Sequence, residues 1–187
     1  HGGANRQVLA QFSLIKQTVR DWKDDDAVAD CVGRILRREL GDGSGLIYGM
    51  GHAVYTLSDP RTVILRQSAR TLAAQRGMLD ELELMEAVER VTPRVFAEVT
   101  GHEKVMCANV DMYSGLIYQM LDIPPDLFTP LFAVARITGW CAHRMEEVLT
   151  GGRLYRPAYK SLTRHREYIP MAARTYRKNP LPAEKRD

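Results

Sequence analysis

Apolar residues recur every three or four positions in one segment of this chain after another, the spacing that places them on one face of a helix. Val8, Phe12, Ile15 and Val19 follow it near the start of the sequence. No segment needs the alternation typical of a strand. We therefore predict an all-α fold, with helices over residues 4–22, 24–38, 60–76, 80–101, 112–121 and 127–149.

Aspartate, proline and glycine mark the ends of these segments. Asp59-Pro60 is typical of an N-cap followed by a first-turn proline; Asp80 predicts another cap, and Pro93 a kink or restart. The third segment has the expected inward stripe Ile64, Leu65, Ala69, Leu72 and Ala73. The last has Phe128, Leu131, Phe132, Ala135 and Cys141 or Ala142.

The composition fits a globular protein with a core. The 187 residues are 45% hydrophobic and 26% charged, enough for one good core or two small ones. No apolar run has the length of a membrane span, and no secretory signal is visible. Three cysteines without CxxC spacing indicate reduced thiols and a cytoplasmic protein.

The two ends of the sequence are unusual. The chain begins at His1 rather than Met, so we expect either a processed protein or the C-terminal part of a longer one. From Arg153 onward there are ten Lys/Arg and three Asp/Glu, and the preceding part carries a net charge of about −4. A basic tail is usually a solvated surface, but it leaves open a non-catalytic helical module that binds nucleic acid.

The stretch 49–61 is the first candidate site. Two glycines precede His52 and permit a close approach of backbone to a ligand, and Arg61 stands at the start of the next helix. Taken alone, this pattern is better explained as a turn with a buried histidine.

Arg136 is the second candidate. It is the only charged residue between 127 and 141, and an arginine in an apolar helix requires an anion. An internal ion pair, for instance with Asp111, and a bound carboxylate or phosphate are about equally favoured.

Metal sites, dinucleotide sites and Walker-type phosphate sites are disfavoured. Cys141 and His143 are two apart and point to different sides of a helix. HxxxH, HExxH, CxxC, Walker and Gly-x-Ser-x-Gly patterns do not occur. Two histidines, one aspartate and three arginines remain, which together suggest proton transfer beside a carbonyl on a substrate with several carboxylates.

Five segments resemble the citrate synthase family, in its order and near its spacing. They are HGGAN (1–5), GMGHAVY (49–55) with DPR (59–61), NVDMYSG (109–115), LFAVARITGW (131–140) and RP (156–157). The resemblance extends from His1 to about residue 159.

The resemblance implies condensation of acetyl-CoA with oxaloacetate, followed by hydrolysis of citryl-CoA. Asp111 would remove the methyl proton, His1 would stabilise the enol, and His52 would polarise and protonate the ketone. Substrate carboxylates would be held by Arg61, Arg136 and, across a homodimer, Arg156. Phe132 and Asn109 would line that site.

The resemblance also implies where CoA binds. The loop ahead of His52 would hold it, through Leu46, Ile47, Tyr48, Gly49, Met50 and Gly51. Ala53 and Thr56 stand where some members carry a basic residue for the CoA phosphates. Acetyl-CoA is a substrate, and neither a cofactor nor a metal is implied.

The implied architecture has two domains that close on each other. Residues 3–121 would form the small domain and 122–187 the returning part of the large domain, whose N-terminal half is missing here. The chain alone should therefore be inactive. 2-Methylcitrate synthase, which uses propionyl-CoA, shares these residues and remains the nearest alternative.

Overall fold

The computed structural model describes residues 3–55, 57–103, 105–151 and 167–174. Helices account for most of this part of the chain, and its only β-type pairing is an isolated antiparallel bridge between Met50 and Ala108. The helices are α1 (Ala4–Thr18), α2 (Asp25–Leu36), α3 (Pro60–Arg76), α4 (Leu79–Thr100), α5 (Asp111–Met120) and α6 (Phe128–Thr150), with short 3-10 turns at Pro125–Leu127 and Met171–Ala173. The all-α prediction is confirmed.

The core lies where α5 packs between α1 and α3, and where α2 packs on α4. Val8, Phe12 and Ile15 supply the buried face of α1, as predicted. Gly115 lets α1 and α5 approach closely, since a Cβ there would lie 3.0 Å from Leu9 Cγ and 3.1 Å from the Asn5 carbonyl oxygen.

The end of α1 and the cap of α4 differ from the prediction, and α2 ends at Leu36 rather than at residue 38. α1 ends at Thr18 because Val19 adopts an extended conformation, and Trp22 then donates its indole N–H to the Val19 carbonyl oxygen at 3.1 Å. α4 is capped at Met78, not at Asp80, and runs through Pro93 without restarting. Asp80 lies instead in the first turn, where its charge favours the positive end of the helix dipole.

The predicted inward stripes are only partly correct. On α3 the buried residues are Thr62, Ala69 and Ala73, whereas Ile64 is 64% exposed. On α6, Phe128 alone is buried among the described residues. Phe132 is half-buried, while Leu131, Ala135, Cys141 and Ala142 are exposed, because no described element packs over that part of the helix.

The chain divides into two units, His1–His143 and Arg144–Asp187. The first holds the core and the helices α1 to α5. The second contains the end of α6, where Arg144 pairs with Glu147 at 2.9 Å. The predicted domain boundary near residue 122 concerns the lobes of a whole enzyme and stays a prediction.

None of the helices in the described part of the chain combines the length and apolar character needed to cross a membrane.

Candidate active site

The loop before His52 is held in place by hydrogen bonds from α1. The Gln11 side chain donates to the Leu46 carbonyl oxygen at 2.8 Å and accepts from the Tyr48 N–H at 3.0 Å. Gly49 has φ +88°, and a Cβ on it would lie 2.7 Å from Met112 Sδ. Only glycine fits there, because both the backbone conformation and the contact with α5 exclude a side chain.

Asn109 joins this loop to the start of α5. Its Nδ2 donates to the Gly51 carbonyl oxygen at 2.9 Å, and its Oδ1 accepts from the Asp111 N–H at 3.0 Å. Backbone bonds from Gly51 N–H to Cys107 and from Asn109 N–H to Gly49, both 2.8 Å, complete the connection. The loop that carries His52 and the helix that begins at Asp111 are therefore held in one register.

The His52 ring is oriented by its own loop. Its Nδ1 accepts from the backbone N–H groups of Val54 and Tyr55, at 2.9 and 3.0 Å. In the neutral ring this network assigns the proton to Nε2, which is then a donor. The Tyr55 ring lies against the imidazole, with centroids 4.7 Å apart.

Arg61 brings a second donor to the same place. Its Nη2 lies 3.3 Å from His52 Nε2. Two N–H donors cannot satisfy each other, so an oxygen acceptor placed between them would be stabilised by both.

Asp59 holds Arg61 from behind. One carboxylate oxygen accepts from the Arg61 Nε and backbone N–H, each at 3.0 Å, and the other accepts from Nη2 at 2.8 Å. The side-chain hydrogen bond from Arg61 lowers the pKa of Asp59 against the opposing effect of burial, and the same bond raises the pKa of Arg61.

Asp111 is a buried carboxylate at the first turn of α5. Asp111 is only 3% exposed. Burial raises its pKa, while the nearby positive charges of Arg61 and Arg136 lower it in part. A carboxylate made more basic by burial and placed near two guanidinium groups is suited to accept a proton beside an anionic substrate.

Arg136 and Phe132 lie together on α6. The Arg136 guanidinium carbon is 5.1 Å from the centre of the Phe132 ring, within the range of a cation–π contact. Arg136 is half-buried and close enough for its charge to act on Asp111. The structure thus brings together Arg61, Asp111 and Arg136, three of the residues that the sequence singled out.

Comparison with known proteins identifies the family of this chain. The family model described as citrate synthase, C-terminal domain, matches residues 1–158. The chain belongs to the citrate synthase family.

Its relatives within the citrate synthase family are longer. A citrate synthase from Synechocystis is 40% identical over 177 residues, which are 93% of this chain and 40% of the relative. A 2-methylcitrate synthase from Shewanella oneidensis is 34% identical, over 93% of this chain and 41% of the relative. The chain therefore spans about two fifths of the length of the curated relatives that it matches.

A solved citrate synthase shares the fold. The enzyme from the thermophilic archaeon Thermoplasma acidophilum, solved as a ternary complex with carboxymethyl coenzyme A and oxaloacetate, is 30% identical with a TM-score of 0.61. The match covers 93% of this chain and 42% of that chain.

Some site predictions lie outside the described residues. His1, Arg156 and Thr56 are among these positions, as is most of the basic tail from Arg153. In the predicted CoA loop, Leu46 is 56% exposed whereas Ile47 is 8% exposed, so the Leu46 side chain is available to a ligand and that of Ile47 contributes to the core.

Sequence reasoning missed the contacts of Asp59 and Gln11. Asp59 was expected only as a helix cap, although its spacing of two residues from Arg61 offered a signal for an ion pair. Gln11 lies on the buried face of α1, where an amide must find partners; nothing in the local pattern identified the loop as that partner. Among the described residues, no group of three or more His, Cys, Asp or Glu side chains is placed to hold a metal ion.

Proposed function

We propose that this chain carries the catalytic small domain of a citrate synthase, which condenses acetyl-CoA with oxaloacetate and water to give citrate and CoA. One observation supports this most strongly. The buried carboxylate of Asp111 starts the helix that Asn109 ties to the His52 loop, and it lies within the electrostatic influence of Arg61.

Each residue then has a chemical task. Asp111 accepts a proton from the acetyl methyl group, and the resulting carbon nucleophile attacks the ketone carbon of oxaloacetate. His52 donates its Nε2 proton to the ketone oxygen as it becomes the hydroxyl of citryl-CoA. Water then cleaves the thioester and releases the CoA thiol.

The same donors explain how oxaloacetate would be oriented. Its ketone oxygen and an adjacent carboxylate oxygen need donors close together, and His52 Nε2 and Arg61 Nη2 are 3.3 Å apart. Arg136 supplies a further cation from α6. His1 on the thioester oxygen and Arg156 from a partner protomer complete the proposal by resemblance.

We propose catalytic activity for a full-length enzyme that also contains the part of the family sequence missing from this chain. We propose that this chain alone is inactive and that the complete enzyme is a homodimer. The apolar side chains of α6 that are exposed here, including Val134, Ile137 and Trp140, support the proposal that another part of the complete enzyme covers this helix. The free thiols of Cys31, Cys107 and Cys141 support a cytoplasmic location.

The closest competing activity is 2-methylcitrate synthesis, which the Shewanella relative favours. Propionyl-CoA has one methylene more than acetyl-CoA. Such a difference changes the relative kcat/KM of two substrates by only about 1–3 kcal/mol, or roughly 10- to 200-fold. The nucleic-acid alternative rests on the basic tail, which lies largely outside the described residues; it leaves the arrangement around Asp111 unexplained.

Thiol release by the complete enzyme tests the proposal. With oxaloacetate present, we expect kcat/KM for acetyl-CoA to exceed that for propionyl-CoA by about 10-fold or more. The reverse preference would assign 2-methylcitrate synthesis instead. Absence of thiol release with both acyl-CoA substrates would refute both condensations.

A further inference from the structure

The carboxylate of Asp59 is the most completely buried charge near the site. Its side chain is 0% exposed, whereas the side chain of its partner Arg61 is 43% exposed. Burying an ionised carboxylate is costly unless charged and polar partners compensate it. The arrangement keeps the anion inside the protein and leaves part of the cation facing outward.

The contacts use one particular edge of the guanidinium group. Asp59 accepts from Nε and Nη2 of Arg61, at 3.0 and 2.8 Å. These two nitrogens form one bidentate edge of the planar fork, and Nη1 with the second N–H of Nη2 forms the other. Nη2, which belongs to both edges, lies 3.3 Å from His52 Nε2.

Helix capping does not require this arrangement. Capping α3 needs only one oxygen on the Arg61 backbone N–H. Asp24 shows the simpler case: it caps α2 by accepting from two backbone N–H groups and is itself exposed. Asp59 adds to its cap a buried bidentate clamp on a side chain of the proposed substrate site.

We propose that Asp59 is a positioning residue for the oxaloacetate site, clamping the inner edge of Arg61 so that its outer edge meets a substrate carboxylate next to His52. This inference rests on the proposed function and extends it to a residue that does not touch the substrate. The clamp has an electrostatic cost, because a fixed anion stands behind the cation that binds a dianion. Its benefit is orientation, since the fork is already held in place before the substrate arrives.

The two effects predict opposite results for Asp59→Asn. Asparagine caps helices about as well as aspartate, so α3 should be retained while the clamp loses its charge and one of its acceptors. If the charge dominates, oxaloacetate binds more tightly. If orientation dominates, as proposed, the oxaloacetate Kd measured by calorimetry on the complete enzyme rises by about 10-fold or more.

Two controls separate positioning from general damage. Asp24→Asn makes the same chemical change at the cap of α2 and should leave the oxaloacetate Kd within about twofold of wild type. The KM for acetyl-CoA should also stay within about twofold in Asp59→Asn, because the clamp acts on the other substrate. Thermal unfolding of each variant verifies that it is folded.

A double-mutant cycle tests whether Asp59 acts through Arg61. In an Arg61→Ala background, Asp59→Asn should change the oxaloacetate Kd by no more than about twofold. An equal loss in both backgrounds, or an unchanged or tighter Kd in the single variant, would overturn the inference. If wild-type enzyme does not bind oxaloacetate at all, the proposed function itself fails, so the two failures are distinguishable.

Discussion

At the scale of single residues, the site combines charges that oppose one another. Burial raises the pKa of Asp111, and the positive charges of Arg61 and Arg136 lower it only in part. The group that we propose as the base is therefore kept where its ionised form is unfavourable. Such a residue contributes to function at the expense of stability.

Replacing Asp111 by Asn should show how much folding stability the buried carboxylate costs at each pH. The folded-state pKa lies above the unfolded-state value, so wild type loses stability from this group as the pH rises through the folded-state pKa. The variant has no carboxyl group to ionise. We expect its free energy of unfolding in urea to exceed that of wild type at neutral pH, with the difference shrinking as the pH falls.

Asp30→Asn is the matched control for this pH series, since Asp30 is exposed on α2. It should show little dependence of the stability difference on pH. An Asp111→Asn variant that is less stable than wild type at every pH would contradict the account of Asp111.

The residues for which we propose direct chemical roles have the clearest signals in the sequence. His52, Arg61, Asp111 and Arg136 stand out because each is a charged or titratable side chain in an apolar or glycine-rich setting. The contact of Asp59 with the Arg61 side chain was harder to predict. A helix cap and a side-chain clamp have the same sequence pattern here, and only the burial seen in the structure distinguishes them.

At the scale of helices, periodicity predicted all six elements, because each carries its own apolar face. Periodicity cannot show how much of that face is covered. Ile64 has the spacing of a core residue on α3 but is exposed, while Thr62 is buried at the capped end of the helix. The ends of α1 and α4 depended on backbone conformation and capping that composition alone did not determine.

Helix α5 is also anchored by side-chain contacts with α3 and α4. The Tyr113 hydroxyl donates to Glu89 on α4, and Glu89 also pairs with Arg66 on α3 at 3.4 Å. Tyr113 is fully buried, and burial, followed by its bond to Glu89, raises its pKa. This three-helix contact holds the element that begins at Asp111.

Tyr113→Phe should therefore destabilise the fold by about 1–3 kcal/mol, because it removes the donor and leaves a partly buried carboxylate with one partner fewer. Chemical denaturation measures the loss. Tyr118→Phe is the control: the Tyr118 ring packs on Phe128, with centroids 4.9 Å apart, and its hydroxyl has no hydrogen bond among the described residues. A change within about 0.5 kcal/mol is expected there. Equal effects of the two substitutions would refute the anchoring role.

At the scale of the whole molecule, α6 shows what one chain's sequence could not specify. Its sequence predicted an inward face, yet Leu131 is 37% exposed and Ala135 and Cys141 are also exposed. The core of α1 to α5 was predictable because both sides of each contact lie within the chain. The environment of α6 was not, because the chain spans about two fifths of the relatives' length and the described residues include no cover for this helix.

We propose that Asp111 is the base of a condensation site whose oxaloacetate-binding groups are separate from it. The most direct measurement compares wild type and Asp111→Asn in the complete enzyme, by thiol release from acetyl-CoA and by calorimetry with oxaloacetate. We predict that thiol release falls by about 10²- to 10⁴-fold, as expected for loss of a general base, while oxaloacetate still binds. Near-normal thiol release by the variant would show that Asp111 is not the base.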